Sequence, residues 1–156
     1  MAVNRTFVVV EPGSTAEGRQ DRMLALIDAA AQAGADAFKA QWVSDPEQLV
    51  ARRHADGYLD AYRLIAWPAE WHALFADTCH TLGLRYGCTT FLPQDVAIVA
   101  PHVDFFKVAS FEAESVDLMK AVAKHVTLGR PIYVSLGFGS DVDVVCKTLS
   151  RECKLM

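Results

Sequence analysis

Two lysines, a set of hydroxyls and two glutamates fall where short apolar runs of this sequence end. Lys39 lies inside "GADAFKAQW" (Gly34–Trp42), where Ala35, Ala37, Phe38 and Ala40 suit a covered strand and an ammonium does not. Burying an unpaired ammonium costs several kcal/mol or drives its pKa down. Gln41 follows on the same face. Lys107 sits in "VDFFKVASFE" (Val103–Glu112), ahead of Ser110 and Glu112; Thr89 and Thr90 close "LRYGCTTF", and Ser135 follows "PIYV". Lys39 and Lys107 at one mouth, with the hydroxyls of Thr90, Ser110 and Ser135, would cradle a small polyanion such as a phosphate or carboxylate. The alternative is that each lysine snorkels separately to solvent. Glu11, directly after "FVVV", can act as a general base or orient a substrate hydroxyl, or it can form a structural ion pair with Lys39. Glu112 can equally be a charge at a helix start.

The other chemistry-bearing residues are less directed. His54, His72, His80, His102 and His125 avoid the expected strand ends, so they do not suggest a metal site. Cys79, Cys88, Cys146 and Cys153 form neither a CxxC pair nor a dense framework, and read as reduced thiols of a cytoplasmic protein. "GFGS" (residues 137–140) has the look of a phosphate loop or a plain strand–helix turn.

These side chains need elements to position them. The 156 residues are 52% hydrophobic and 22% charged with a formal net charge of −4, a balance that fits a covered α/β domain and excludes disorder. The charge argues against nucleic-acid or anionic-membrane partners. No apolar run approaches the roughly 18 residues of a membrane span. Strands are expected at 6–13, 35–41, 84–91, 103–112 and 131–140. Helices are expected after a Ser14/Glu17 capping box, from Pro68 to Leu82, and over 92–101, 114–126 and 141–153. Residues 43–66 read as a polar excursion with room for one helix.

Five β–α repeats imply parallel strands with right-handed crossovers. An open doubly wound sheet would carry a phosphate loop after its first strand, and "EPGSTAEG" fits neither GxGxxG nor the P-loop. Polar residues at the end of every strand fit a (β/α)8 TIM barrel instead. Such a barrel takes about 250 residues, so the chain supplies about five of eight units and leaves an edge. Residues 1–156 are accordingly read as one domain, the N-terminal part of a barrel truncated before strand 6, with "CKLM" as that strand's first residues. Val8, Val10 and Val134 are assigned to the barrel interior, and the open edge predicts a homo-oligomer or a complementing segment.

The ordered series "VVVEPGSTAEG", "IDAAAQAGADAFKAQ", "EWHALFADTCHTLGL", "CTTF", "VDFFKVASFE" and "GRPIYVSLGFGS" resembles the sialic acid synthase (N-acetylneuraminate synthase) family over nearly the whole chain. That resemblance implies a barrel that condenses phosphoenolpyruvate with an N-acetylated aminosugar aldehyde of the N-acetylmannosamine type. The products would be a nonulosonic acid and phosphate, and a divalent metal (Mn or Mg) would take part. It implies that Lys39, Thr90, Lys107, Ser110 and Ser135 hold phosphoenolpyruvate, that Glu11 and Gln41 lie near the reacting centre, and that Glu112 faces the sugar.

The chain departs from the family pattern at Thr15-Ala16, where Asn-His is usual, at Phe111, where glycine is usual, and at Leu136, where threonine is usual. The family's metal-binding histidines come from later strands, so no metal ligand is expected in this chain, and the chain alone is expected not to turn over. A non-catalytic relative, acting as an anion-binding or assembly module, is the alternative. A keto-deoxy-sugar-phosphate synthase is a third possibility.

Overall fold

Five short segments, each alternating between two faces, pair into one parallel sheet in the order β1-β2-β3-β4-β5. The structure is a computed structural model and describes residues 5–126, 129–137 and 140–152. The strands are β1 (Val9–Val10), β2 (Ala37–Trp42), β3 (Arg85–Thr90), β4 (Phe105–Val108) and β5 (Ile132–Val134). Helices α1 (Gln20–Gln32), α2 (Pro46–Arg53), α3 (Leu59–Arg63), α4 (Trp71–Thr81), α5 (Pro93–Val99), α6 (Val116–Val126) and α7 (Val142–Glu152) alternate with them. Sequential parallel pairing with helical crossovers makes this half of a (β/α)8 barrel.

The register sorts the side chains. Lys39 pairs with Gly87 and Gly87 with Phe105, while Gln41 pairs with Thr89, Thr89 with Lys107 and Lys107 with Tyr133. Paired residues of parallel strands point to the same face, so these seven side-chain positions share the face that becomes a barrel's interior. The opposite face carries Phe38, Ala40, Trp42, Tyr86, Cys88, Phe106 and Val108. These pack against Ile27 of α1, Phe75 and Cys79 of α4, Val96 and Val99 of α5, and Leu118, Met119 and Val122 of α6. Val10 and Val134 pack on this helix side too, which corrects their assignment to the interior. Val9 and Tyr133, offset by one residue, take the interior face instead and stay exposed.

Local chemistry explains several boundaries. Asp45 caps α2 by accepting the Gln48 N–H at 2.9 Å, Pro46 opens the helix, and His54 closes it in the left-handed region at φ 51°. The Ser14/Glu17 capping box does not form. Residues 13–18 are turns, Glu17 itself has φ 51°, its carboxylate pairs with Arg22, and α1 begins at Gln20. The excursion at 43–66 holds two helices and a 3-10 turn rather than one helix. Positions 138–139 of the glycine-rich turn and the terminal "CKLM" lie outside the described residues.

Two packing features can be measured. Gly87 leaves no side chain where the buried Phe105 ring crosses the sheet: a Cβ there would lie 2.2 Å from that ring. Gly87→Ala therefore has to displace a ring that is 1% exposed, and should cost about 1–3 kcal/mol in a denaturant titration. An unchanged midpoint would show that the ring yields freely.

His72 of α4 is fully buried beside Trp42 and Trp67, with Nδ1 2.9 Å from the Tyr86 hydroxyl. Burial, helped by His102, lowers its pKa to about 3. The unfolded chain takes up a proton near the ordinary histidine pKa of about 6.5 that the folded chain refuses. Stability should thus fall as pH drops from about 6.5 toward 3, by up to about 1.4 kcal/mol per pH unit from this group. His72→Gln, which retains a partner for Tyr86, should flatten that slope.

Candidate functional site

Lys39 stands on the interior face of β2, in the middle of the strand rather than at its end, and is 5% exposed. Its Nζ donates to Thr89 Oγ1 at 2.7 Å and forms an ion pair with Glu11, the residue after β1. Gln41 Nε2 donates to the other oxygen of the same Glu11 carboxylate. Three neighbouring strands are thereby tied through one ammonium. Lys39 is therefore buried rather than snorkelling to solvent, and the Glu11–Lys39 ion pair, the structural alternative for Glu11, is present.

Lys107 sits across Thr89 on β4, half-buried, and has no hydrogen-bond or ion-pair partner among the described residues. Burial holds its ammonium below the ordinary lysine range, and Lys39 pushes in the same direction, while Glu11 and Glu112 oppose them. A half-buried, unpaired cation next to a second cation is what an anion would relieve.

Thr90 does not belong to this group. It pairs in register with Trp42, so it faces the helices, fully buried, and its hydroxyl has no partner there. Thr89 occupies the interior position in its stead. Two adjacent threonines cannot be told apart until the strand's register is known, because neighbouring side chains take opposite faces.

Ser110 begins a 3-10 turn (Ser110–Glu112) after β4 and lies against Gly137, where a Cβ would come 3.2 Å from Ser110 Cβ. Ser135 follows β5, its N–H donating to the Val108 carbonyl at 3.0 Å, and its side chain is exposed. The ends of β4 and β5 therefore meet, and both serines rim the mouth without bonding to either lysine.

Glu112 is 2% exposed and faces Arg53 rather than open space. Arg53 donates to Glu112 Oε1 from Nε at 2.7 Å and from its second terminal nitrogen at 2.5 Å, and to the Tyr62 hydroxyl at 2.9 Å. Burial raises the Glu112 pKa against the pull of Arg53. With α6 starting at Val116, Glu112 is not a helix-start charge either.

Arg53 was not singled out from sequence, where Arg52-Arg53 signals only cations suited to a helix C-terminus. Its guanidinium lies 5.0, 5.2 and 5.4 Å from the ring centres of Phe91, Phe111 and Tyr62, within cation–π range. Phe111, 64% exposed, stands as a wall of a cleft of about 260 Å³ that also borders Gln41, Arg53, Tyr62, Phe91 and Ser14. Among the described residues no three His, Cys, Asp or Glu side chains converge, and Glu11 is already shared by Lys39 and Gln41. The described residues of the mouth therefore do not fit a divalent metal.

Known proteins resemble this chain in sequence and in fold. The chain is 31% identical to the spore coat polysaccharide biosynthesis protein SpsE of Bacillus subtilis (strain 168), over 94% of this chain and 41% of that protein. The solved structure of Bacillus subtilis SpsE superposes with a TM-score of 0.68 at 27% identity, covering 94% of this chain and 40% of that one. An N-acetylneuraminic acid (sialic acid) synthetase from Leptospira borgpetersenii serovar Hardjo-bovis superposes with a TM-score of 0.79. That match covers 97% of this chain and 51% of the synthetase, and at 21% identity it shows the fold alone. The chain thus spans about two fifths to one half of the length of these relatives. Residues 26–154, which contain β2 to β5 and every mouth residue above except Glu11 and Ser14, match the NeuB family, and the chain belongs to that family.

Proposed function

We propose that the mouth of this half-barrel is an anion cradle of a phosphoenolpyruvate-dependent, carbon–carbon bond-forming transferase of the sialic acid synthase type. The observation that supports it is Lys107, half-buried and without a hydrogen-bond or ion-pair partner among the described residues, across Thr89 from the Lys39 ammonium. A phosphoenolpyruvate trianion calls for lysines and hydroxyl donors rather than an apolar slot. In the proposed reaction its methylene carbon joins the aldehyde carbon of an N-acetylated aminosugar, one water is consumed, and phosphate leaves. Lys107, Lys39 and Thr89 would hold the anion, with Ser110 and Ser135 as rim hydroxyls. Glu11, beside Gln41, would hold or move the proton for the aldehyde oxygen or the water. Any divalent metal of the reaction would be held by other residues than these.

The alternative is a non-catalytic anion-binding or assembly module. The clamped Glu112 favours it, because a carboxylate bound by Arg53 and buried offers little to a sugar. Release of phosphate from phosphoenolpyruvate with N-acetylmannosamine would support the transferase, and anion binding without release would support the module. No helix among the described residues is long and apolar enough to cross a membrane. The buried thiols Cys79 and Cys88 are unpaired, which suits the cytoplasm.

Lys107→Met keeps the aliphatic stem and removes the charge. It should weaken binding of phosphate or phosphoenolpyruvate by about 1.5–3 kcal/mol, the scale of one charged hydrogen bond, in calorimetry at low salt. Affinity should also decline with added salt. Equal affinity in wild type and variant would end the cradle reading. Exposed Val9 and Tyr133 on the interior face support association with a second copy or a complementing segment. Sedimentation at micromolar concentration should show an oligomer, and a stable compact monomer would count against it.

A further inference from the structure

Lys39 and Lys107 are unequal. Lys107 has no partner among the described residues, whereas Lys39 is taken by Glu11 and Thr89 and is almost closed to solvent. A small anion approaching the remaining Lys39 N–H would lie against the Glu11 carboxylate, and the repulsion of two negative charges in a shielded site opposes that. Glu11 has somewhere else to go. Its side chain is 32% exposed, it precedes a turn rather than a long strand, and its second oxygen already accepts from Gln41.

We propose that Glu11 is a resident competitor for the anion: its carboxylate occupies Lys39 until a polyanion displaces it from there and leaves it held by Gln41 alone, so that Lys107 makes first contact and Lys39 is recruited second. This rests on the cradle reading and adds to it a cost built into the ligand-free state. In that state the three charges of the mouth, Lys39, Lys107 and Glu11, sum to one positive charge rather than two. A ligand able to reach both lysines gains the second contact only by breaking the Glu11–Lys39 pair. Glu112 cannot play the same part toward Lys107, because Arg53 holds it. Gln41 is then a positioning residue, which acts by holding Glu11 away from Lys39 in the bound state.

The test is calorimetric titration of inorganic phosphate and of phosphoenolpyruvate at low salt into wild type, E11Q, K39M, the E11Q/K39M double variant and Q41L. The competitor role predicts that E11Q binds about tenfold more tightly than wild type, the worth of one competing charged hydrogen bond. In the K39M background the same change should yield less than about twofold, since the pair it relieves no longer exists. Q41L, which removes the displaced carboxylate's anchor, should bind more weakly than wild type, and this decides the matter if E11Q fails to fold. Unchanged or weaker binding by E11Q overturns the proposal. So does a tenfold gain that persists in the K39M background, which would reflect only the general field of one carboxylate. Unchanged or tighter binding by Q41L overturns it as well. Absence of phosphate binding in wild type removes the cradle reading together with this one, whereas wild-type binding with a flat E11Q response removes the competitor alone.

Discussion

A buried ammonium in the middle of β2 is the constraint around which this half-barrel is arranged. Lys39 can remain charged at 5% exposure only if other groups replace its lost water, because an unpaired buried charge costs several kcal/mol. Glu11 and Thr89 do so from the two flanking strands. The same layer has to admit the Phe105 ring, and Gly87, between Lys39 and Phe105 in register, is where the space comes from. Charge pairing and ring packing thus join neighbouring strands on one face, and Lys107 is brought to that face by pairing with Thr89.

A second, separate tie shapes the rim. The β2–α4 excursion folds back over the mouth on its own small apolar cluster of Val43, Leu49, Ile65, Phe91 and Leu92. It delivers Arg53 to Glu112, so the excursion is fastened to the end of β4 by a buried ion pair flanked by three aromatic rings. Buried pairs of this kind contribute modestly as wholes, but removing one partner leaves an uncompensated charge. The tie serves geometry: it sets where the aromatic wall stands relative to the two lysines.

Membership in the NeuB family and the departures from its pattern are compatible once the two ties are separated. The residues around Lys39 and Lys107 form a coherent polar layer, while Phe111 and the clamped Glu112 modify the rim next to it. The lysine layer and the rim can therefore diverge independently, since different elements build them. The lysine layer uses strand residues, and the rim uses a long excursion and a 3-10 turn, where insertions and substitutions are tolerated more readily.

The order of elements, the parallel half-barrel and the presence of two mouth lysines were legible in the sequence. They rest on local signals: β-branched runs, helical periodicity, and a cation placed where a covered strand does not tolerate one. Glu11, Gln41 and Lys107 were legible for the same reason, as polar residues closing apolar runs. Tertiary structure decided what depends on register and on distant chain segments. It chose Thr89 over Thr90 and moved Val10 and Val134 to the helix side, because a shift of one residue exchanges the faces of a strand. It turned the Ser14–Glu17 box into a turn, since Glu17 finds Arg22 rather than a helix start. It also brought Arg53 to Glu112 across 59 residues of chain. No local pattern encodes that meeting, because burial and charge compensation are properties of the packed site rather than of either segment alone.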